Sequence, residues 1–140
     1  MSIVRLLPAW LHGAADYAVG ALLVIVALAV GGTTAAVATG LVVGAVVLGL
    51  SLFTRYPLGV VKVVPFPVHS AGDYLATVLL VAAPWALGFS SSDTGLTVLY
   101  VGAGLAVLAV SLITNYQYGG ARRPTAATTV GAPVLTGSAR

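Results

Sequence analysis

The chain has 140 residues, of which 59% are apolar and only 6% charged, with a net charge of +3. A soluble domain carries about a quarter charged residues, so these side chains cannot clothe a water-facing surface. The absence of cysteine excludes disulfides, thiolate metal sites and a catalytic thiol, and no basic stripe or RNA-binding motif marks a nucleic-acid partner.

Four apolar stretches follow one another, at about 11–30, 34–53, 71–89 and 96–113. Runs of roughly 18–20 residues reach about 27–30 Å as helix, the thickness of a hydrocarbon core. Only a helix satisfies its own backbone in lipid, so the stretches are expected to be helical despite their many valines. The links at 31–33 and 90–93 are tight, which predicts two antiparallel hairpins. The predicted class is therefore an all-α polytopic membrane protein of four transmembrane helices.

Orientation follows from the cations. Arg5 precedes the first span, Arg55 and Lys62 lie between the second and third, and Arg122, Arg123 and Arg140 follow the fourth. The two short links hold no Lys or Arg, and one contains Asp93. That asymmetry predicts cytoplasmic termini and a cytoplasmic middle loop in the cell (inner) membrane. Trp10, Tyr56, Tyr116 and Tyr118 are expected at the inner interface, and Trp85, Phe89 and Tyr100 near the outer one. Arg5 before an apolar run ending in small residues near Ala29 also fits a cleaved signal peptide. An equivalent segment recurs in mid-chain, so cleavage is not expected.

That recurrence is an internal repeat. Pro8, His12, Asp16 and Tyr17 return at identical spacing as Pro65, His69, Asp73 and Tyr74. Leu22-Leu23-Val24 matches Leu79-Leu80-Val81, and Gly31 matches Gly88. The second helices align as Ser51-Leu52-Phe53-Thr54-Arg55-Tyr56 against Ser111-Leu112-Ile113-Thr114-Asn115-Tyr116, and Gly59 against Gly119. This divides the chain into a first hairpin at 1–60, a second at 61–119, and a disordered cytoplasmic tail at 120–140. Because each unit has two spans, both copies insert the same way up, related by a pseudo-two-fold axis along the membrane normal.

The segment Ala83-Pro84-Trp85-Ala86-Leu87-Gly88-Phe89 lies late in the first helix of the second hairpin. It resembles the signature of the SPW repeat family, small bacterial and archaeal membrane proteins whose repeat is a helix pair with Ser-Pro-Trp in its first helix. Ala83 stands where the family has serine, and the first copy reads Ala27-Leu28 in place of Pro84-Trp85. The resemblance implies the architecture and no established activity.

The residues able to carry chemistry are His12, Asp16, His69 and Asp73. Each His–Asp pair is four apart, hence on one helix face. An ionisable group at that depth in lipid costs several kcal/mol unless paired, and usually faces the bundle interior. The pseudo-symmetry should bring both pairs together near the cytoplasmic face. The leading expectation is a polar clamp between the hairpins, with Arg55 lending charge at its mouth. Next come a proton relay or coupled carrier and a metal site of two imidazoles and two carboxylates; a bis-histidine haem is also geometrically open. Tyr17 and Tyr74 are expected as interfacial anchors or inter-helix donors. Pro84 should free the Leu80 carbonyl and kink its helix. Gly40 and Gly44 form a GxxxG face expected to pack inside the bundle, with Gly102, Gly104 and Ala106 its counterpart.

No nucleophile with an adjacent base, phosphate loop or dinucleotide fingerprint is present. The sequence therefore predicts a non-enzymatic, structural or accessory membrane protein without a cofactor. Its expected partners are the lipid bilayer and, as an open option, copies of itself or a larger membrane complex. The alternative is a proton-coupled or metal-ion-handling carrier acting as an oligomer.

Overall fold

The computed structural model describes residues 6–114. Four helices cover most of them: α1 (Ala9–Val30), α2 (Thr34–Phe53), α3 (Phe66–Ala86) and α4 (Thr94–Ile113). Each is long and apolar enough to cross a membrane, so the protein is a polytopic four-helix membrane bundle. Within each hairpin α1 packs on α2 and α3 on α4, while α2 against α3 and α1 against α4 join the hairpins. The hairpins stand the same way up, in the parallel pseudo-two-fold arrangement that the repeat predicts.

The joins between hairpins are themselves repeated. Leu7, just before α1, forms a parallel bridge with Thr114 at the end of α4, and its equivalent Val64 forms one with Thr54 at the end of α2. The start of each hairpin thus lies beside the last turn of the other.

Small residues set the close approach within hairpins. A Cβ on Gly20 would stand 3.2 Å from the Gly44 carbonyl oxygen, and one on Gly44 would stand 2.8 Å from that of Gly20. At the equivalent place in the second hairpin, the Thr77 hydroxyl donates to the Gly104 carbonyl at 3.1 Å. Gly40 and Gly44 therefore act inside the bundle, as expected. Gly102 does not, since nothing lies within 4 Å of a Cβ placed there.

Outward faces carry Leu22, Ile25, Leu28, Val42, Val46, Leu75, Val78, Leu79, Val98 and Leu105, all exposed. Apolar surface of that extent is untenable on a monomer in water and is what a hydrocarbon solvent requires.

The structure alters several expectations in detail. Helix α3 starts at Phe66, five residues ahead of the apolar run, because Pro65 and Pro67 preset its first turn. It stops at Ala86, two residues past Pro84, so this proline sits in the terminal turn. Its carbonyl accepts from the Phe89 and Ser90 amides in the turn that follows. Tyr56, Phe89 and Tyr100 do not present themselves to headgroups. All three are buried, at 2%, 1% and 0% exposure, because the bundle needs large side chains where small residues leave gaps. Trp10 and Trp85 remain exposed, as interfacial residues should be. Arg5, Tyr116, Tyr118, Gly119, Arg122, Arg123, Arg140 and the tail assigned to 120–140 lie outside the described residues.

Candidate metal centre

His12 and Asp16 lie in the first two turns of α1, and His69 and Asp73 in the first two turns of α3. The i,i+4 spacing sets each pair on one face, and the pseudo-two-fold turns the two faces towards each other. All four side chains are buried, with His12 at 0%, His69 at 1%, Asp16 at 3% and Asp73 at 4% exposure. One nitrogen or oxygen from each residue lies within 4.8 Å of all the others.

The contacts cross between hairpins as well as running within them. His69 Nε2 lies 2.9 Å from Asp16 Oδ2, and His12 Nε2 lies 3.3 Å from Asp73 Oδ2. Inside each pair, His12 Nε2 to Asp16 Oδ2 is 3.2 Å and His69 Nε2 to Asp73 Oδ1 is 3.3 Å. The two Nε2 atoms are themselves 3.3 Å apart.

The opposite ring edge of each histidine is held by a threonine that sequence reasoning did not single out. His12 Nδ1 meets Thr114 Oγ1 at 2.9 Å, and His69 Nδ1 meets Thr54 Oγ1 at 2.9 Å. Each hydroxyl donates its own proton to the carbonyl four residues back, Thr114 to Val110 and Thr54 to Leu50, both at 2.6 Å. A hydroxyl has one proton, so each threonine can only accept from its histidine. Both imidazoles therefore carry Nδ1–H and turn Nε2 inwards. The signal was present in the repeat, since Thr54 and Thr114 recur at matched positions where α2 and α4 end.

Supporting groups differ between the halves. The Ser111 hydroxyl donates to Asp73 Oδ2 at 2.8 Å. Its equivalent Ser51 is fully buried beside the Tyr56 phenol instead of a carboxylate. Aromatic rings roof the cluster on the loop side. Phe66 meets His12 edge-on at 5.5 Å, and Tyr56 stacks on Phe66 at 5.7 Å. Tyr56 lies across Gly13, where any Cβ would collide with its ring. Burial pushes the Tyr56 phenol above its ordinary value, so it stays protonated.

The other anticipated residues stand further off. Arg55 is exposed and donates from Nε to the Lys62 carbonyl at 2.8 Å, and among the described residues it pairs with neither buried aspartate. Its guanidinium is held within the 55–64 loop, which folds back on itself, and it makes no direct contact with the cluster among the described residues. The Tyr17 hydroxyl donates to the Leu58 carbonyl at 3.2 Å, which anchors that same loop to α1. Tyr74 is half-buried on α3.

A haem does not fit here. Two nitrogens 3.3 Å apart, with carboxylate oxygens at similar distances around them, leave no room for a macrocycle between the rings. Comparison with protein-family models, with curated proteins and with solved structures gives no match, so the functional reading rests on the geometry of this chain.

Proposed function

We propose that this is a small, non-enzymatic membrane protein whose buried His12, Asp16, His69 and Asp73 staple two helix hairpins into one bundle. The carrying observation is the crossed pairing, with His69 of the second hairpin 2.9 Å from Asp16 of the first. Diagonal helices α1 and α3 pack little against each other, so these side chains are what ties them. A closed cluster also argues against a carrier, which needs an aqueous route to the residues that load its cargo.

The paucity of cations on the 31–33 and 87–93 turns supports a reading with both termini and the 54–65 loop in the cytoplasm of a bacterial or archaeal cell. The staple then closes the cytoplasmic end of the bundle. The duplicated helix pair and Ala83-Pro84-Trp85 support grouping the chain with SPW repeat proteins. The bilayer is its partner, and a role as an accessory subunit of a larger membrane assembly accords with its size.

Unfolding of the detergent-purified protein tests the staple. Removing one member of a buried charged set typically costs about 3–5 kcal/mol, because its partner is left uncompensated. Asp16→Ala should lose stability on that scale. An unfolding midpoint equal to that of the native chain would refute the staple.

A further inference from the structure

We infer that the occupant of the staple is a single divalent ion of the zinc class, held by His12 Nε2, His69 Nε2 and one oxygen each of Asp16 and Asp73. The inference rests on the staple reading and names what completes it.

The first argument is size. A tetrahedral zinc site has bonds of about 2.0–2.2 Å, and a tetrahedron of that radius has edges of about 3.3–3.6 Å. The two Nε2 atoms and Asp16 Oδ2 stand 3.3, 3.2 and 2.9 Å apart, and Asp73 brings Oδ2 to 3.3 Å from His12 and Oδ1 to 3.3 Å from His69, with one donor atom of each residue within 4.8 Å of the rest. The donor atoms already outline the shell of one small cation. Calcium or magnesium would need six or more oxygens, which this set does not supply.

The second argument is proton accounting. With Nδ1–H given to Thr54 and Thr114, neutral histidines aim two lone pairs at each other and at two carboxylates. That empty state is repulsive and carries two buried negative charges. A proton on each Nε2 cancels the charge and lets both rings donate to the carboxylates, but it holds two cationic rings with their N–H groups 3.3 Å apart. A single shared proton bridges the nitrogens and leaves one negative charge in a low-dielectric interior, at a cost of several kcal/mol. One divalent cation neutralises both carboxylates and uses both lone pairs at once.

The third argument is the outer layer. Metal-binding histidines characteristically donate their second ring N–H to a fixed acceptor, which orients the ring and raises its basicity. Thr54 and Thr114 do this in both repeats, and Ser111 adds a donor to Asp73. With four protein ligands and no open position, the ion is structural and does not activate water.

The test uses the full chain in detergent, stripped with a chelator and reloaded with Zn²⁺ or Co²⁺. The expected result is one ion per chain, a higher unfolding temperature with Zn²⁺ than without, and the intense visible bands of tetrahedral Co²⁺. Thr54→Val and Thr114→Val keep the four ligands and should weaken Zn²⁺ binding about 10–100-fold each. Substoichiometric uptake, a weak octahedral Co²⁺ spectrum, or unchanged affinity in both threonine variants would overturn the inference. The staple is judged separately. If Asp16→Ala loses stability while the native chain takes up no ion, the clamp stands and only the metal falls. If Asp16→Ala is as stable as the native chain, both fall together.

Discussion

Gly40 and Tyr100 occupy the same position in the two repeats, and the phenol of Tyr100 fills the space that a side chain on Gly40 would need. The Tyr100 hydroxyl donates to the Ala36 carbonyl at 2.8 Å, one helical turn before Gly40. Near a pseudo-two-fold axis, equivalent positions converge, so two large residues would clash and two small ones would leave a hole. A glycine opposite a tyrosine resolves this, and the duplicated halves cannot be interchanged there.

Gly40→Ala should therefore destabilise the bundle by about 1–3 kcal/mol through overpacking. Its new Cβ meets the Tyr100 hydroxyl and also lies 2.8 Å from the Ala27 Cβ. Gly40→Ala with Tyr100→Phe should recover part of the loss, and a double-mutant cycle on unfolding midpoints measures the coupling. Gly102→Ala is the control. Its Cβ meets nothing within 4 Å, and removing a mid-helix glycine should leave stability unchanged or raise it by about 0.5–1 kcal/mol.

Ser51 and Ser111 are equivalent in sequence and unequal in bonding. Ser111→Ala strips a donor from the buried Asp73 carboxylate and should cost about 1–3 kcal/mol. Ser51→Ala removes a buried hydroxyl that faces the neutral Tyr56 phenol, so it should cost less, at most about 1 kcal/mol. Parallel denaturation of the two variants decides the point, and equal losses would contradict the asymmetry.

On the opposite end of the bundle, Asp93 reaches across to the first hairpin. Its Oδ2 accepts from the Thr33 hydroxyl at 2.6 Å and from the Thr33 amide at 3.1 Å. Asp93→Ala should cost about 1–2 kcal/mol through loss of these charge-assisted bonds. The same substitution should speed amide exchange at Thr33 and Ala36, because Thr33 also caps α2 through the Ala36 amide. Exchange unchanged at both amides would show that the link does not hold the turn.

The absence of cysteine makes membrane orientation directly measurable. Ser91→Cys in the turn between α3 and α4 and Val61→Cys in the middle loop both lie at exposed positions. With the proposed orientation, a membrane-impermeant maleimide should label Ser91→Cys in intact cells and reach Val61→Cys only after lysis. The reverse pattern would invert the topology.

Much of this architecture is legible in one dimension. Four apolar runs of membrane length, with cations confined to alternate links, specify four helices, because a backbone in lipid has few other ways to satisfy its own hydrogen bonds. The recurrence of His12 and Asp16 as His69 and Asp73 specifies which side chains meet, since two copies inserted the same way up present the same face to a common axis. Thr54 and Thr114 were visible in that repeat, but nothing local marks a threonine at a helix end as the partner of a histidine 15 or 102 residues away.

What the chain order could not decide is everything that depends on how the two copies depart from one another. Tyr56, Phe89 and Tyr100 read as interfacial aromatics by their distance along the helices, yet packing drew them inside. Arg55 read as a charge at the mouth of the cluster, and only the folded loop shows that its guanidinium meets the Lys62 carbonyl. Hydropathy and repetition act along the sequence and set which segments enter lipid and in what register. Volume must be filled in three dimensions, and only the folded bundle determines which large residue occupies the gap left by which small one.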